Sequence, residues 1–426
     1  MLEQKNLLLT AIRQMLLSKE LNLKITYYLL LAFAFSFPFG NIYGTFIIIL
    51  LSALWLLKGN IFSKVKTAFT TPLFLSFTFL FLIQFVWLFN TSDFNRAFYL
   101  INCNASMLVL PLLFLTFENE ILKIKGRNIL IALIAGCLAI SIVTITRGIY
   151  RYETTGDWEM LFYSKLTQNF YHPGFMSIHI SVCIMVLMFD IIGIEKTFSE
   201  GRVLQKSILV GWFILFLILL SSKIGLIALG LIVLISICYG LIKVKNNLFR
   251  ITVLIIPLLL SWLIYKAEIG IRIENSIQAL TTKENLNTNE ESTALRITAL
   301  KTSAELIKNN WLFGVGTGDV WPDLRRYYFI ESKTACLKEK VIPHNQYLNS
   351  FAKHGIIGIS VLLFLLFFPL MKSYRQKYWS GFLFMLLIIL NCGVEDVFEV
   401  QNGVVFTSFF YSYFFLLLPK TKENLS

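Results

Sequence analysis

The sequence predicts an all-α integral membrane protein with about twelve transmembrane helices. Of its 426 residues, 56% are hydrophobic and only 15% are charged, whereas about 25% of the residues of a soluble globular protein are charged. One soluble core could not bury this much apolar surface, so we expect the remainder to face lipid. The apolar residues also cluster in runs of roughly the length that crosses a bilayer.

Twelve apolar runs are long enough to be counted as spans, since a membrane-crossing helix needs about 20 mostly apolar residues. The predicted spans are 25–40, 42–57, 73–90, 98–117, 128–147, 174–193, 207–221, 223–242, 250–265, 354–371, 379–394 and 402–418. A tight turn at Gly40-Asn41 joins the first two. Only Ser221-Ser222-Lys223 separates the seventh from the eighth.

Lysine and arginine predict the orientation, because cytoplasmic loops carry an excess of both. With the N-terminus in the cytoplasm, most basic residues of the short loops fall on the cytoplasmic side. Three regions follow: spans one to nine with a cytoplasmic N-terminus (1–265), a large, partly helical outer loop that carries the candidate site (266–353), and spans ten to twelve with a cytoplasmic C-terminus (354–426).

Charge and cysteine usage argue against two other functions. A net charge of +13 would suggest nucleic-acid binding in a soluble protein, but here basic loop anchors explain it and we expect no nucleic acid. The six cysteines contain no Cys-x-x-Cys pair, which argues against a zinc site or a disulfide framework.

Apolar residues recur in the outer loop at spacings of three and four, which predicts an amphipathic helix. The residues in this stripe are Ile297, Leu300, Ala304, Ile307 and Trp311. Gly314, Gly316 and Gly318 follow as a tight turn. They do not form a dinucleotide-binding fingerprint, since no strand precedes them.

Three side chains in or beside this loop could carry chemistry. Arg296, on the predicted helix, is either a solvated arginine or a phosphate contact, which suits the rigid donor fork of guanidinium. Lys223 begins the eighth span, where it could snorkel to the interface or hold a lipid diphosphate. His344 could act as a base near neutral pH, although a histidine in a loop often has no catalytic role.

Other outer residues leave structural and functional interpretations open. Gly355 and Gly358 at the start of the tenth span would permit close helix packing. Three carboxylates between the last two spans could be a metal site, an acid/base pair or only a polar loop; they are Glu395, Asp396 and Glu399. His172 precedes the sixth span on the same face.

Taken together, these motifs resemble the O-antigen ligase and O-antigen polymerase superfamily of polytopic bacterial membrane glycosyltransferases. The resemblance depends on the large loop between spans nine and ten and on several short motifs. These are an arginine on a helix, Trp311-Leu312-Phe313-Gly314-Val315-Gly316-Thr317-Gly318, His344-Asn345-Gln346-Tyr347-Leu348 with Gly355-Ile356-Ile357-Gly358, and Ser221-Ser222-Lys223, where the family often has Ser-Arg. The motifs cover roughly 215–400, and the N-terminal half agrees in topology only.

The resemblance implies transfer of a glycan from an undecaprenyl-diphosphate carrier to lipid A-core or another glycan acceptor, at the periplasmic face of the inner membrane. No cofactor and no metal are implied. His344 would activate the acceptor hydroxyl, Arg296 would bind the diphosphate, and Lys223 would replace an arginine but lose its bidentate geometry. Supporting roles would fall to Asn345, Tyr347, Gly314, Gly316, Gly355 and Gly358.

Other functions remain open from the sequence. A polymerase that extends lipid-linked repeat units would use the same donor and the same kind of base. Attachment of the glycan to a protein hydroxyl is a further variant. A lipid-glycan or solute transporter is the alternative of another class, but no internal repeat is visible and the polar candidates gather at the outer surface rather than at mid-membrane. The oligomeric state is not predicted.

Overall fold

The computed structural model describes residues 19–117, 125–168, 170–198, 202–243 and 292–417. Within these ranges the chain is helical and has no strand. The predicted ninth span, 250–265, lies outside the described residues, as do the two chain ends. The fold class that the sequence predicts is confirmed.

Seventeen α-helices, joined by short 3₁₀ turns, make up the described part of the chain. In chain order they are α1 (Lys19–Ser36), α2 (Asn41–Leu57), α3 (Ile61–Phe69), α4 (Pro72–Val86), α5 (Phe94–Asn104), α6 (Ser106–Thr116), α7 (Arg127–Thr155), α8 (Tyr163–Leu166), α9 (Pro173–Ile192), α10 (Val203–Leu220), α11 (Lys223–Lys243), α12 (Ser292–Asn309), α13 (Val320–Ile330), α14 (Thr334–Lys338), α15 (Gln346–Arg375), α16 (Trp379–Cys392) and α17 (Gln401–Ser412), which a π-helical turn extends through Leu417.

Every predicted span except 250–265 falls on a helix. Among the described residues, 8 helices are long and apolar enough to cross a membrane. The second predicted span is α2, which together with α3 would also qualify, but the two are bent by 114°. The helix that carries the tenth span begins at Gln346, before the predicted start of the span at 354, and α16 has only 14 residues.

Helix α9 lies at the centre of the bundle, packed against α7, α10, α11 and α16. In its most apolar stretch, 78% of the residues are buried, against 22% in α10. The outer face of α10 exposes large apolar side chains such as Leu204, Ile208 and Leu215. Such a face is stable only against lipid or another protein surface, as expected for a membrane bundle.

A second, smaller core holds α12, α13 and α14 together. Leu295 and Leu306 of α12 pack with Leu324 and Tyr328 of α13 and with Cys336 of α14. The predicted amphipathic helix therefore exists, with the bounds Ser292–Asn309.

The buried face of α12 differs from the predicted stripe. Ala304 and Trp311 are exposed, whereas Thr298, Thr302 and Ser303 are buried. The apolar pattern missed this face because polar side chains occupy part of it. Thr302 Oγ1 accepts a 2.7 Å hydrogen bond from Lys333 Nζ, so burial there is compatible with a hydroxyl.

Candidate active site at one end of the bundle

The candidate site is built around a break in helix α15. Gly355 has φ 61° and ψ −151° inside this helix, a conformation that is essentially restricted to glycine. A Cβ at this position would lie 2.2 Å from Leu312 O. Gly355 is therefore needed for a backbone break, and not for the close helix packing considered from the sequence.

The glycine-rich segment 311–316 fills this break. In an unbroken helix, Ile356 N–H would donate to Ala352 C=O. Here Ile356 N donates to Trp311 O (2.9 Å), while Ala352 O accepts from Val315 N (2.8 Å). The N–H and C=O groups that lose their helical hydrogen bond both bond to the neighbouring segment instead. Irregular backbone at a membrane requires such partners.

Gly314 and Gly316 allow this close approach. Both have positive φ, and a Cβ on Gly314 would lie 2.3 Å from Lys353 O. Gly316 N donates a 3.0 Å hydrogen bond to the same carbonyl oxygen. These two glycines thus position the polypeptide around the site. Gly358 has a related role, because a Cβ there would lie 2.5 Å from Cβ of His354.

The end of α4 holds the glycine-rich segment from the other side. Asn90 Nδ2 donates to Gly314 O at 3.0 Å. The carboxylate of Asp319 accepts hydrogen bonds from the backbone N–H groups of Ser92 and Asp93, with N···O distances of 2.7 and 2.8 Å. Two sequence segments more than two hundred residues apart are thereby fixed at one end of the bundle.

The first half of α15, residues 346–354, packs its polar side chains against the loop 393–400. Gln346 Oε1 accepts from Phe398 N at 2.7 Å, and Asn349 Nδ2 donates to Asp396 Oδ1 at 3.3 Å. Lys353 forms a buried ion pair with Glu399. We call this set of contacts the polar ladder.

Asn345 and Tyr347, predicted to support the site, have structural contacts of the same kind. The Asn345 side chain caps α15 by accepting Leu348 N at 3.0 Å, and it donates to Gly393 O at 3.0 Å. The Tyr347 hydroxyl donates to Ile389 O at 2.8 Å. Both residues tie the start of α15 to α16 and the loop that follows it.

His344 stands immediately before this capped helix start, with φ 45°. Its Nδ1 lies 3.4 Å from Glu395 Oε2. The Glu395 side chain is largely buried, whereas that of His344 is 35% exposed. An imidazole with a carboxylate behind one nitrogen and solvent access at its edge has the arrangement of a general base.

Arg296 and His172 complete a cluster around Glu395. Burial would raise the pKa of Glu395, but the hydrogen bond from His344 and the charges of His172, His344 and Arg296 outweigh it, so the pKa is lowered. Burial lowers the pKa of His172, with Glu395 opposing this and with His344 and Arg296 adding to it. These mutual effects show that Glu395, His172, His344 and Arg296 lie close enough to act on one another.

Lys223 begins α11, whose first turn packs on α9. Ser222 Oγ lies 3.1 Å from Ser177 Oγ, and a Cβ on Gly225 would come within 2.6 Å of Ser177 Cβ. Since α9 begins directly after His172, Lys223 lies at the same end of the bundle as the cluster. Its side chain is exposed.

The three carboxylates of the loop 393–400 point to three different partners. Glu395 faces His344, Asp396 contacts Asn349, and Glu399 pairs with Lys353. Among the residues that the structure describes, no group of His, Cys, Asp or Glu could hold a metal ion. The sequence singled out these three carboxylates but did not predict the contact of Glu395 with His344. The two residues are 51 positions apart, and no local pattern indicates such a contact.

A family model described as O-Antigen ligase matches residues 208–363. This segment is therefore similar to the O-antigen ligase family. It contains Lys223, Arg296, the glycine-rich segment, His344 and the break at Gly355, so the resemblance seen in the sequence is confirmed. No curated protein matches the chain closely enough to count as a relative.

The match to the O-antigen ligase family and the apolar helices together support a membrane protein with a ligase- or polymerase-type function. A glycosyltransferase-like enzyme that acts on lipid-linked glycans has a function of this kind. His172 and Glu395 contribute to the candidate site although the first lies before the matched segment and the second after it.

Proposed function

We propose that the protein is an O-antigen ligase-type glycosyltransferase. It moves a glycan from an undecaprenyl-diphosphate carrier to lipid A-core or a related acceptor at the periplasmic face of the inner membrane. The observation that carries this proposal is the cluster of His344, Glu395, His172 and Arg296. A base with a carboxylate partner and a cation lie together at one end of the helix bundle. The lipid part of a carrier could lie in the bilayer against the apolar outer faces of this bundle.

The cluster supports a direct displacement. His344 takes the proton of the acceptor hydroxyl, whose oxygen attacks the anomeric carbon of the donor glycan. The bond to the diphosphate oxygen breaks, and that oxygen keeps the electron pair. Arg296, with Lys223, stabilises the charge that develops there, which is effective because the site lies beside low-dielectric protein and lipid. Glu395 stabilises the imidazolium that His344 becomes.

The placement of basic residues supports a periplasmic site. The helix ends away from the cluster carry groups of basic residues, such as Lys58, Lys64 and Lys66 between α2 and α4, and Lys372, Arg375 and Lys377 at the end of α15. By the positive-inside rule these ends face the cytoplasm. The cluster then faces the periplasm, and both chain termini lie in the cytoplasm.

Complementation of a deletion strain tests this function. If the protein is the ligase, the deletion removes all glycan chains attached to the acceptor, and the wild-type gene restores them. A single attached repeat unit in the deletion strain would instead assign the protein as the polymerase, which shares the donor and differs in the acceptor.

The same strain tests the role of His344. His344→Ala should lower transfer by about 100-fold or more, the usual contribution of a general base, at unchanged protein level in the membrane. Glu395→Gln should lower it less, because the base remains but loses its charged partner. Full glycan attachment with His344→Ala would remove this residue from the mechanism.

A further inference from the structure

A groove runs along the outer face of the second half of α15, toward the end of the bundle away from the cluster. Its volume is about 540 Å³, within the range of sites that hold small molecules. The described side chains that line it recur at helical spacings and form one stripe on the helix. They are Phe364, Phe367, Phe368 and Met371, followed by Lys372 and Arg375. The groove is therefore apolar along the span and basic at its end.

The apolar part of the groove faces away from the helix bundle. Phe364, Phe367 and Met371 are between 42% and 47% exposed, whereas Leu365, on the side of α15 that faces the bundle, is fully buried. The ring of Phe364 stacks on that of Phe368, with the centroids 5.1 Å apart. An open stripe of large apolar side chains is stable only against an apolar partner. In a membrane-spanning helix, the acyl chain of a lipid is such a partner.

The basic part of the groove carries two cations without a carboxylate partner among the residues that the structure describes. Lys372 and Arg375 are exposed and belong to the last turn of α15. Because they are three positions apart, they lie on one face of the helix and can reach the same anion. The carboxylate of Glu195 is instead bound to Ser380, from which it accepts hydrogen bonds of the backbone N (3.1 Å) and of Oγ (2.7 Å).

Aromatic side chains place this end of α15 at a membrane surface. Tyr374 lies between the two cations in the chain and is 55% exposed. Its ring centroid is 6.4 Å from that of Trp379, which in turn is 6.0 Å from that of Phe382. Tyrosine and tryptophan collect at the level of the lipid headgroups. Lys372 and Arg375 therefore lie at the level of the phosphates of one leaflet, and the apolar part of the groove lies deeper in the membrane.

We propose that this groove binds one anionic phospholipid of the cytoplasmic leaflet. The phosphate is held between Lys372 and Arg375, and an acyl chain lies along Phe364, Phe367 and Met371. Basic pockets beside transmembrane helices on the cytoplasmic side suit anionic headgroups. The choice of leaflet rests on the orientation proposed from the positive-inside rule, whereas the binding site does not depend on the transfer function. A lipid bound here stabilises the half of α15 that anchors the site.

Native mass spectrometry of the purified full-length protein tests the site. The probes are dioleoylphosphatidylglycerol and dioleoylphosphatidylethanolamine, and the first should bind more tightly because only it has a net charge. Lys372→Ala/Arg375→Ala should weaken the tightest phosphatidylglycerol site by about 30-fold. This corresponds to about 2 kcal/mol, since each cation near a membrane surface contributes about 1 kcal/mol. Unchanged binding in this variant would overturn the proposal.

Two further variants separate the groove from charge in general. Lys66→Ala/Arg127→Ala removes one lysine and one arginine that are also exposed but do not line the groove, so phosphatidylglycerol binding should not change. Lys372→Arg/Arg375→Lys exchanges the two side chains and should retain binding, because both charges remain. An equal loss in the two alanine variants would mean that the overall positive charge attracts the lipid, which contradicts a site. A loss in the exchange variant as large as in Lys372→Ala/Arg375→Ala would contradict recognition by charge.

Photocrosslinking in intact cells identifies the occupant of the groove. Phe367→p-benzoylphenylalanine places a photoreactive group in its apolar part. Irradiation should attach a phospholipid, and the share with an anionic headgroup should fall when Lys372 and Arg375 are replaced by alanine. A crosslink to another part of the same chain or to a second copy would show that protein covers the groove, and it would refute the lipid site.

Discussion

The two halves of α15 have opposite character although they form one continuous stretch of the chain. Before Gly355, the side chains of Gln346, Asn349, Lys353 and His354 are polar and buried. After it, the residues 356–371 form an ordinary apolar span, with leucines inside and side chains such as Phe364 on the outer face. The first half makes the contacts of the site, and the second half anchors it in the membrane.

This difference shows what a polar helix at a membrane surface requires. Each long polar side chain of the first half has a specific partner, mostly in the loop 393–400 or directly after the glycine-rich segment 311–316. His354 Nε2, for example, lies 3.2 Å from Thr317 Oγ1. Buried polar groups with partners cost little, and without partners they cost several kcal/mol each. The break at Gly355 allows the chain to change from a buried polar helix to an apolar membrane-spanning helix at a single residue.

Replacement of the glycine at the break should abolish the difference between the two halves. Gly355→Ala cannot keep φ 61° without strain, and its Cβ would clash with Leu312 O. We expect a loss of about 3 kcal/mol or more in stability and loss of transfer, because the glycine-rich segment can no longer fill the break. The measurement is the thermal denaturation midpoint in detergent, with transfer activity alongside.

Gly211→Ala is the matched control for this substitution. Gly211 lies in the apolar helix α10, and a Cβ there meets nothing within 4 Å. Alanine is the better helix former by about 1 kcal/mol, so this variant should be neutral or slightly more stable. Equal tolerance of Gly355→Ala and Gly211→Ala would show that the break is not required.

Removal of the Arg296 guanidinium should weaken use of the donor while leaving the break in α15 intact. Arg296→Ala removes the guanidinium that acts on Glu395 and His172. We expect transfer to fall by about 100-fold, in the range observed when one charge-stabilising donor is removed. Arg296→Lys should retain part of the activity, since it keeps the charge and loses the bidentate geometry. The rate is measured against donor concentration.

Arg325→Ala serves as the control for Arg296, because Arg325 is an exposed arginine of α13, which packs against α12. It should leave transfer unchanged. Normal donor use by Arg296→Ala would make Arg296 a surface residue, and an equal loss in both variants would indicate a general effect of charge on this pair of helices.

The sequence predicted the fold to the extent that local patterns determine it. Apolar runs located every described span, because burial in lipid requires an apolar stretch whatever its neighbours are. The stripe on α12 was wrong in detail, since Thr298, Thr302 and Ser303 are buried through hydrogen bonds that an apolar pattern does not reveal.

Individual site residues were predictable, but their contacts were not. His344 and Arg296 stood out by residue type and motif. Glu395 became a partner of His344 only through the turn between α15 and α16, and the polar ladder depends on the same long-range contact. Gly355 could be recognised as a conspicuous glycine, whereas its role as a break required the position of Trp311 and Leu312 in space.

The smallest expected effect concerns Asp396, a member of the polar ladder. Burial, with the nearby charge of Glu399, raises its pKa to about 6, while His344, the hydrogen bond from Asn349 and Lys353 act in the opposite direction. A carboxyl whose pKa is higher in the folded than in the unfolded state binds its proton more tightly when folded. Stability from this group is therefore complete at acidic pH and declines as the pH rises from about 4 to about 6.

Asp396→Asn should remove this decline. The amide stays neutral, and its Nδ2 can donate to Asn349 Oδ1, which has no partner among the described residues. At pH 7.5 the denaturation midpoint should rise by a few degrees above the wild type, for a gain of about 3 kcal/mol at most. Below about pH 4 the two midpoints should agree.

Asp396→Ala separates the charge from the contact, because it removes both. It should not gain stability at pH 7.5, since Asn349 then loses its partner in the ladder. An equal shift for Asp396→Asn at both pH values would show that the carboxyl does not titrate in this range. A gain for Asp396→Ala as large as that for Asp396→Asn would show that the contact with Asn349 contributes nothing, so that the buried polar half of α15 could be stable without its partners.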